Sequence, residues 1–264
     1  MTLEITILGC GSSGGVPRPG LGWGACNPAN PKNRRRRCSI LVERSSDAGK
    51  TKVLVDTGPD LREQLLDAKV EKLDAVLYTH EHADHTHGVD DLRGLFIRHR
   101  RRLDVWLDEP TSRAMHARFG YCFMKPPGSE YPPILTEHRL VPGKPVTIEG
   151  DGGPVTALPV LHDHGDIPSL GFRFGNVAYS ADLNGMPTES AEALTGLDLW
   201  IIDALRHTPH PSHLSLSEAL DWIERLKPKR AILTNMHTDL DYDALSETLP
   251  PHVVPAFDGM RISV

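Results

Sequence analysis

Residues 3–8 alternate apolar and polar side chains, the period of a half-buried strand, and run into the glycine-rich turn Gly9-Cys10-Gly11-Ser12-Ser13-Gly14-Gly15. A Pro-, Asn- and Arg-rich stretch over 16–38 reads as a long loop, and strand patterns follow at 39–43 and 52–56. The second ends in Asp56-Thr57-Gly58, and 60–68 has helical spacing. A short apolar run over 73–79, bounded by polar residues, reads as a buried strand. Strand patterns return at 155–161, 169–174, 177–180, 199–203 and 231–234. Between the last two, 215–226 is helical, with Ser215 as N-cap, Glu218 completing a capping box, and Pro228 beyond the end. Strands alternate with helices in both halves of the chain. This predicts an α/β protein, two similar layers around one core, as a single domain over 1–264. Residues 88–145 fit the pattern least. Mixed helix, several arginines and the loop Pro126-Pro127-Gly128-Ser129-Glu130-Tyr131-Pro132-Pro133 predict an insertion or a lid over a site.

Composition narrows the function classes. A chain of 264 residues buries roughly three quarters of its unfolded surface, so it needs no disulfide or metal merely to fold. A net charge of −6 argues against a general nucleic-acid coat, though not against a local basic site. No run approaches ~18 apolar residues, so no membrane span is expected. Met1 to Ile5 lacks a basic region ahead of an apolar one, and Cys10, Cys26, Cys38 and Cys122 form no CxxC pair. Both features point to the cytoplasm. What changes the picture is the 14 histidines, which are unevenly spread.

Thr79-His80-Glu81-His82-Ala83-Asp84-His85 places four potential ligands within six residues, directly after a buried strand. Residues two apart in an extended segment point the same way, so His80 and His82 can hold one metal ion. Asp84 and His85 then turn onto the start of a helix and can face a second. Imidazole with carboxylate suits Zn, Mn or Fe and leaves positions for water, as a catalytic site needs.

His80-x-His82-x-Asp84-His85 resembles the defining motif of the metallo-β-lactamase-fold hydrolases. The resemblance spans essentially the whole chain and implies a four-layer αββα sandwich. It implies further site residues: Asp56 orienting a ligand histidine, His164 as the third histidine with His162 as fallback, and Asp182 bridging two ions. For the last ligand, relatives often read Leu-Thr-His where this chain has Leu233-Thr234-Asn235-Met236-His237. His237 is favoured over Asn235, because imidazole is the stronger ligand.

Within that family, Gly9 to Arg18 and Asn33-Arg34-Arg35-Arg36-Arg37-Cys38-Ser39 are similar to the phosphodiesterase branch, including the phosphoribosyl cyclic phosphodiesterases. Some of these carry a structural zinc on cysteines. Here only Cys26 and Cys38 are available, so none is predicted. The resemblance implies two divalent ions, Zn or Mn, bridged by a hydroxide that attacks phosphorus, with His213 protonating the leaving oxygen. Arg35, Arg37 and Ser13 are candidates for binding substrate phosphate, and the glycine turn could add N–H donors.

The expected substrate is a small cyclic or nucleotide-like phosphodiester. A tRNA 3′-processing hydrolase, a thioester hydrolase and a non-catalytic nucleotide-binding protein are the alternatives, and nucleic acid is not favoured as a partner. Aromatic residues within 95–135, among them Phe96, Trp106 and Tyr131, suggest a pocket wall or a homodimer contact.

Overall fold

The computed structural model describes residues 2–264. Seven strands form the first sheet: β1 (Thr2–Gly9), β2 (Ser39–Ser46), β3 (Gly49–Val55), β4 (Ala75–Leu77), β5 (Leu103–Leu107), β6 (Leu135–Arg139) and the C-terminal β14 (Arg261–Ser263). Their order is β14-β1-β2-β3-β4-β5-β6, antiparallel as far as β3 and parallel from β3 to β6. The second sheet holds β7 (Val146–Ile148), β8 (Val155–His164), β9 (Ile167–Phe174), β10 (Val177–Ser180), β11 (Leu199–Asp203), β12 (Arg230–Thr234) and β13 (Val253–Pro255). They lie side by side in reverse chain order, antiparallel from β7 to β10 and parallel from β10 to β13.

The inner faces meet in one apolar core, where Ile5, Ile40, Val53 and Leu77 share a cluster with Phe172, Ile201 and Ile232. Helices cover the outer faces. On the first sheet these include α1 (Leu61–Asp67), the short α2 (Ala83–Thr86), α3 (Arg93–His99) and α4 (Glu109–Phe123). Leu61, Leu65, Met115 and Phe123 pack there against Leu41, Leu54 and Val76. On the second sheet α5 (Thr188–Ala193), α6 (Leu216–Leu226) and α7 (Tyr242–Thr248) bring Leu194, Ala219, Ile223 and Leu245 into the main core. The result is the αββα sandwich.

Helix α6 starts as its capping box predicts: the Glu218 N–H donates to Ser215 Oγ at 3.3 Å, and the Ser215 N–H donates to Glu218 Oε2 at 2.8 Å. Residues 88–145 depart from expectation. They are no insertion, because β5 and β6 complete the first sheet and α4 packs on its outer face. Helix α4 also reaches the histidine motif: Arg118 donates to the carbonyl of Glu81, and Phe119 meets His87 edge-on at 5.3 Å. Most aromatics of this stretch pack inward or onto histidines, whereas Tyr121 and Tyr131 are exposed.

The glycine turn serves close approach of backbones. A Cβ on Gly9 would lie 2.0 Å from the carbonyl oxygen of Arg37, and one on Gly11 would lie 2.8 Å from Arg35 Cβ. The turn is thereby threaded between 35–37 and Met236, whose N–H donates to the carbonyl of Cys10 at 2.9 Å. The N–H groups of Gly11, Ser12 and Gly15 bond to Arg36, Met236 and Ser12 carbonyls, so they are not free for an anion.

Asp258 ties this region to the C-terminal end. It accepts from the backbone of Cys10 at 3.1 Å and of Arg36 at 2.7 Å, and burial pushes its carboxyl up to about 7. A carboxyl raised on folding stabilises fully below its unfolded value and loses that contribution as pH rises through the folded one. Between pH 4 and about 7, stability contributed by Asp258 therefore falls. The thermal midpoint of Asp258→Asn relative to wild type should rise across that window and level off above it. A difference independent of pH would refute the assignment.

Candidate metal centre and active site

The site forms where parallel strands end. Asp56 follows β3, Thr79 and His80 follow β4, Asp182 follows β10, Asp203 closes β11 and Asn235 follows β12. In α/β architectures this carboxyl end is where chains turn and side chains from different strands converge.

Asp56 is fully buried in a left-handed backbone conformation, φ 66°. Its Oδ1 accepts from the Thr79 N–H, and its Oδ2 from Thr79 Oγ1, both at 2.8 Å. The same Oδ2 lies 2.7 Å from His85 Nδ1. Burial raises this carboxyl above its usual range, against the pull of His85 and Thr79. With Nδ1 of His85 held by Asp56, Nε2 is the atom presented inward. That Nε2 is buried with no hydrogen-bond partner, 3.3 Å from Asp182 Oδ1 and 3.4 Å from Asp84 Oδ2.

His80, His82, His164 and Asp182 offer ligand atoms all within 4.8 Å of one another. His82 Nδ1 lies 2.9 Å from His80 Nε2 and 3.2 Å from His164 Nε2. Burial first, then neighbouring histidines, hold His80 well below its ordinary value and His164 below it. Imidazole nitrogens turned on one another converge on a point, the arrangement a cation satisfies. Burial disfavours charge on Asp182 too, but His85, His213 and His80 outweigh it and hold its carboxyl well below the carboxylate range. Three carboxylates, Asp182, Asp84 and Asp56, surround His85 and hold it well above its usual value against burial. His80, His82, His164 and Asp182 form a group that could hold a divalent ion, and Asp84 and His85 lie beside it, His85 Nε2 within 3.4 Å of Asp84 and 3.3 Å of Asp182.

The last position differs from expectation. Asn235, not His237, sits at the centre, its amide nitrogen 3.3 Å from Asp182 Oδ1 and 3.1 Å from His213 Nδ1. Pairing of Asp203 with Thr234 puts the residue after Thr234 beside the end of β11. Two residues later the chain has turned: the His237 N–H donates to the carbonyl of Leu205, and its ring meets Arg18, Thr238 and Asp239. The fallback ligand His162 is buried apart from the cluster, 3.4 Å from Ser180 Oγ.

His213 adjoins the cluster, its ring 4.7 Å from that of His164. Its Nδ1 lies 3.0 Å from Oδ2 of Asp203, which is fully buried and also accepts from the Leu183 N–H at 3.2 Å. Burial opposes charge on His213, but Asp203 and Asp182 outweigh it and push it up to about 9. Burial raises Asp203 itself to about 7, against the pull of His213. Asp203 thereby holds Nδ1 of His213 and favours the protonated ring. Asp203 was not among the expected site residues. Its signal was a lone carboxylate ending the fully buried run Leu199-Trp200-Ile201-Ile202.

The predicted phosphate-binding residues scatter. Arg35 is buried, donating to the Leu240 carbonyl at 2.7 Å and the His237 carbonyl at 3.3 Å, so its guanidinium is engaged in supporting the loop. Arg37 is half-buried and pairs with Asp60 at 3.1 Å. Arg36 pairs with Asp67 at 2.6 Å. Ser13 is exposed on the glycine turn.

A family profile described as "Beta-lactamase superfamily domain" matches residues 51–236. Among solved structures, a diphosphatase from the PhnP family is 36% identical with a TM-score of 0.89, over 100% of this chain and 98% of that one. PqqB from Methylobacterium extorquens, solved with Zn²⁺ bound, shares the fold at 16% identity and a TM-score of 0.76, over 98% and 99% of the two chains. An octanoyltransferase from Porphyromonas gingivalis (strain ATCC BAA-308 / W83) is 35% identical over 264 residues, 98% of this chain and 51% of that protein. This chain thus spans about half the length of the curated relative it matches. No helix among the described residues is long and apolar enough to cross a membrane. The histidine motif, the strand-end carboxylates and the profile match agree, and the chain belongs to the β-lactamase superfamily, with the metallo-β-lactamase fold.

Proposed function

We propose that this protein is a metal-dependent phosphodiesterase acting on small phosphodiesters. The observation that carries the reading is the His213–Asp203 pair at the edge of a cluster of ligand atoms. Divalent ions, Zn or Mn, held by His80, His82, His164 and Asp182 and by Asp84, His85 and Asp182, supply Lewis acidity toward a phosphoryl oxygen and acidify water. The chain's own residues do the rest. Asp56 fixes the ring of His85 through Nδ1, and Thr79 fixes Asp56. His213 delivers a proton from Nε2 to the leaving oxygen while Asp203 holds Nδ1. The full-length likeness to a diphosphatase supports phosphoryl chemistry.

Two other readings have less behind them. RNA processing calls for lysines and arginines free to meet phosphates, whereas Arg35, Arg36 and Arg37 are engaged internally and net charge is −6. Acyl transfer through a thiolate lacks a nucleophile, since all four cysteines are buried and burial raises each thiol.

Replacing His213 with Ala should lower turnover by about 10²–10⁴-fold for diesters with an alkoxide leaving group. The loss should shrink for p-nitrophenolate, which leaves without a proton. Equal losses on both substrates, at unchanged metal content, would remove His213 from the proton-donor role.

Asn235 makes the two metal positions unequal. An amide is a poorer ligand than imidazole, so the Asp84–His85–Asp182 position should bind its ion more weakly than the His80–His82–His164–Asp182 position. Calorimetric titration of metal-stripped protein should resolve two affinities. Asn235→His, tolerable at the left-handed φ of 59° that His also visits, should raise the weaker one by about ten-fold. Two equal affinities in the wild type would contradict this.

A further inference from the structure

We propose that the first sheet carries a second binding site on its outer face, a cavity lined by Arg34, Arg36 and Arg261 that takes a small phosphorylated sugar. The cavity measures about 380 Å³, within the size range of small-molecule sites. None of its lining residues belongs to the histidine cluster, so the inference stands apart from the reading of the metal centre.

Its walls follow from the strand pattern. Ile5 and Ile7 of β1 enter the core between the sheets, so Thr6 and Leu8 face the other way, toward α1. Antiparallel pairing of Thr6 with Arg261 on β14 puts that arginine beside Thr6 on the same face. The last turn of α1 adds Gln64 and Asp67, and the segment 31–36 closes the remaining side with Arg34 and Arg36.

The charges on these walls are unequally matched. Asp258 has both oxygens engaged, Oδ1 by the Cys10 N–H at 3.1 Å and Oδ2 by the Arg36 N–H at 2.7 Å. Asp67 is paired with Arg36 on the surface, a kind of contact that contributes little and exchanges readily. Arg261 lies 3.6 Å from Glu4, beyond hydrogen-bond distance. The Arg34 side chain is exposed and has no hydrogen-bond or ion-pair partner among the described residues. A phosphate supplies the oxygens that guanidinium groups bind best.

The deeper wall calls for a different group. Gln64 and Thr6 are 1% and 3% exposed. Gln64 Nε2 donates to the Arg37 carbonyl at 2.9 Å, but its Oε1 has no partner, and neither has Thr6 Oγ1. Buried polar atoms without partners are uncommon, and here two belong to one cavity wall. A ligand hydroxyl both donates and accepts, so it serves the amide oxygen and the threonine alike. A phosphate at the arginine rim joined to a hydroxyl-bearing body satisfies both ends. Inorganic phosphate satisfies only the first, and an uncharged sugar only the second.

The test is a nuclear magnetic resonance titration of ¹⁵N-labelled protein supplied with Zn²⁺, with ribose 5-phosphate as probe, followed at the backbone amides of Thr6 and Gly259. These amides should shift in wild type with a dissociation constant of about 1 mM or below. Inorganic phosphate and ribose should each bind about ten-fold more weakly, and so should ribose 5-phosphate to Arg34→Ala and to Arg261→Ala, the range of a charged hydrogen bond. Both arginines are exposed, so the fold survives their removal. Thr6→Val keeps the side-chain shape without the hydroxyl, and should weaken ribose 5-phosphate while leaving inorganic phosphate unchanged. Shifts confined to the amides of His82, His164 and Asn235 would place the probe at the metal cluster and overturn the cavity site. Equal affinities for ribose 5-phosphate and inorganic phosphate, or an affinity untouched in both arginine variants, would overturn it as well.

Discussion

The site depends on one buried carboxylate. Asp56 has no access to water, so each of its oxygens must find a donor within the protein. Thr79 and His85 provide them, and in doing so they join the ends of β3 and β4 to the start of α2. The His85 ring is thereby locked, with Nε2 facing Asp84 and Asp182. Breaking this arrangement would leave a charge unpartnered in the interior, which is far costlier than losing a surface contact. The left-handed φ of Asp56 belongs to the same constraint, since the chain must turn sharply at the strand end to aim the carboxylate back at Thr79.

The second half of the sandwich supplies a different kind of chemistry. Its parallel strands β10, β11 and β12 deliver Asp182, Asp203 and Asn235 in adjacent positions, set by pairing of Ser180 with Ile202 and Asp203 with Thr234. Asp182 serves the histidine cluster, while Asp203 serves His213. Two neighbouring carboxylates are thus shifted in opposite directions: Asp182 is held well below the usual range, and Asp203 is pushed up to about 7. The difference follows from company, since Asp182 faces several histidines and Asp203 faces one. The histidine cluster and the His213–Asp203 pair are thus served by carboxylates on adjacent strands.

Much of this was legible in the chain. Buried strands announced themselves as apolar runs, and the HxHxDH spacing placed ligands at a strand end. Ser215 and Glu218 marked the start of α6. Edge strands were harder. β6 carries Thr136, Glu137, His138 and Arg139, and only its hydrogen bonding to β5 makes it a strand. Its polar character hid the continuation of the first sheet and left 88–145 resembling an insertion. The arginine run misled for a related reason. Charge type is visible in the sequence, but whether a guanidinium meets a carbonyl, a carboxylate or solvent depends on segments more than two hundred residues away, as with Arg35 and Leu240.

The sequence by itself determined the α/β character, the histidine motif and the family, because these rest on short-range spacing and on side-chain chemistry. Only the tertiary structure decided between Asn235 and His237. Imidazole is the better ligand, and a reading by residue type chooses it. Strand register overrides ligand strength, since it carries the residue immediately after Thr234 into the centre and turns the chain away before His237 arrives. The same register sets Asp203 within reach of His213. A contact between residues distant in sequence is set by which strands pair and in what alignment, and that information lies in the packing of the whole sheet.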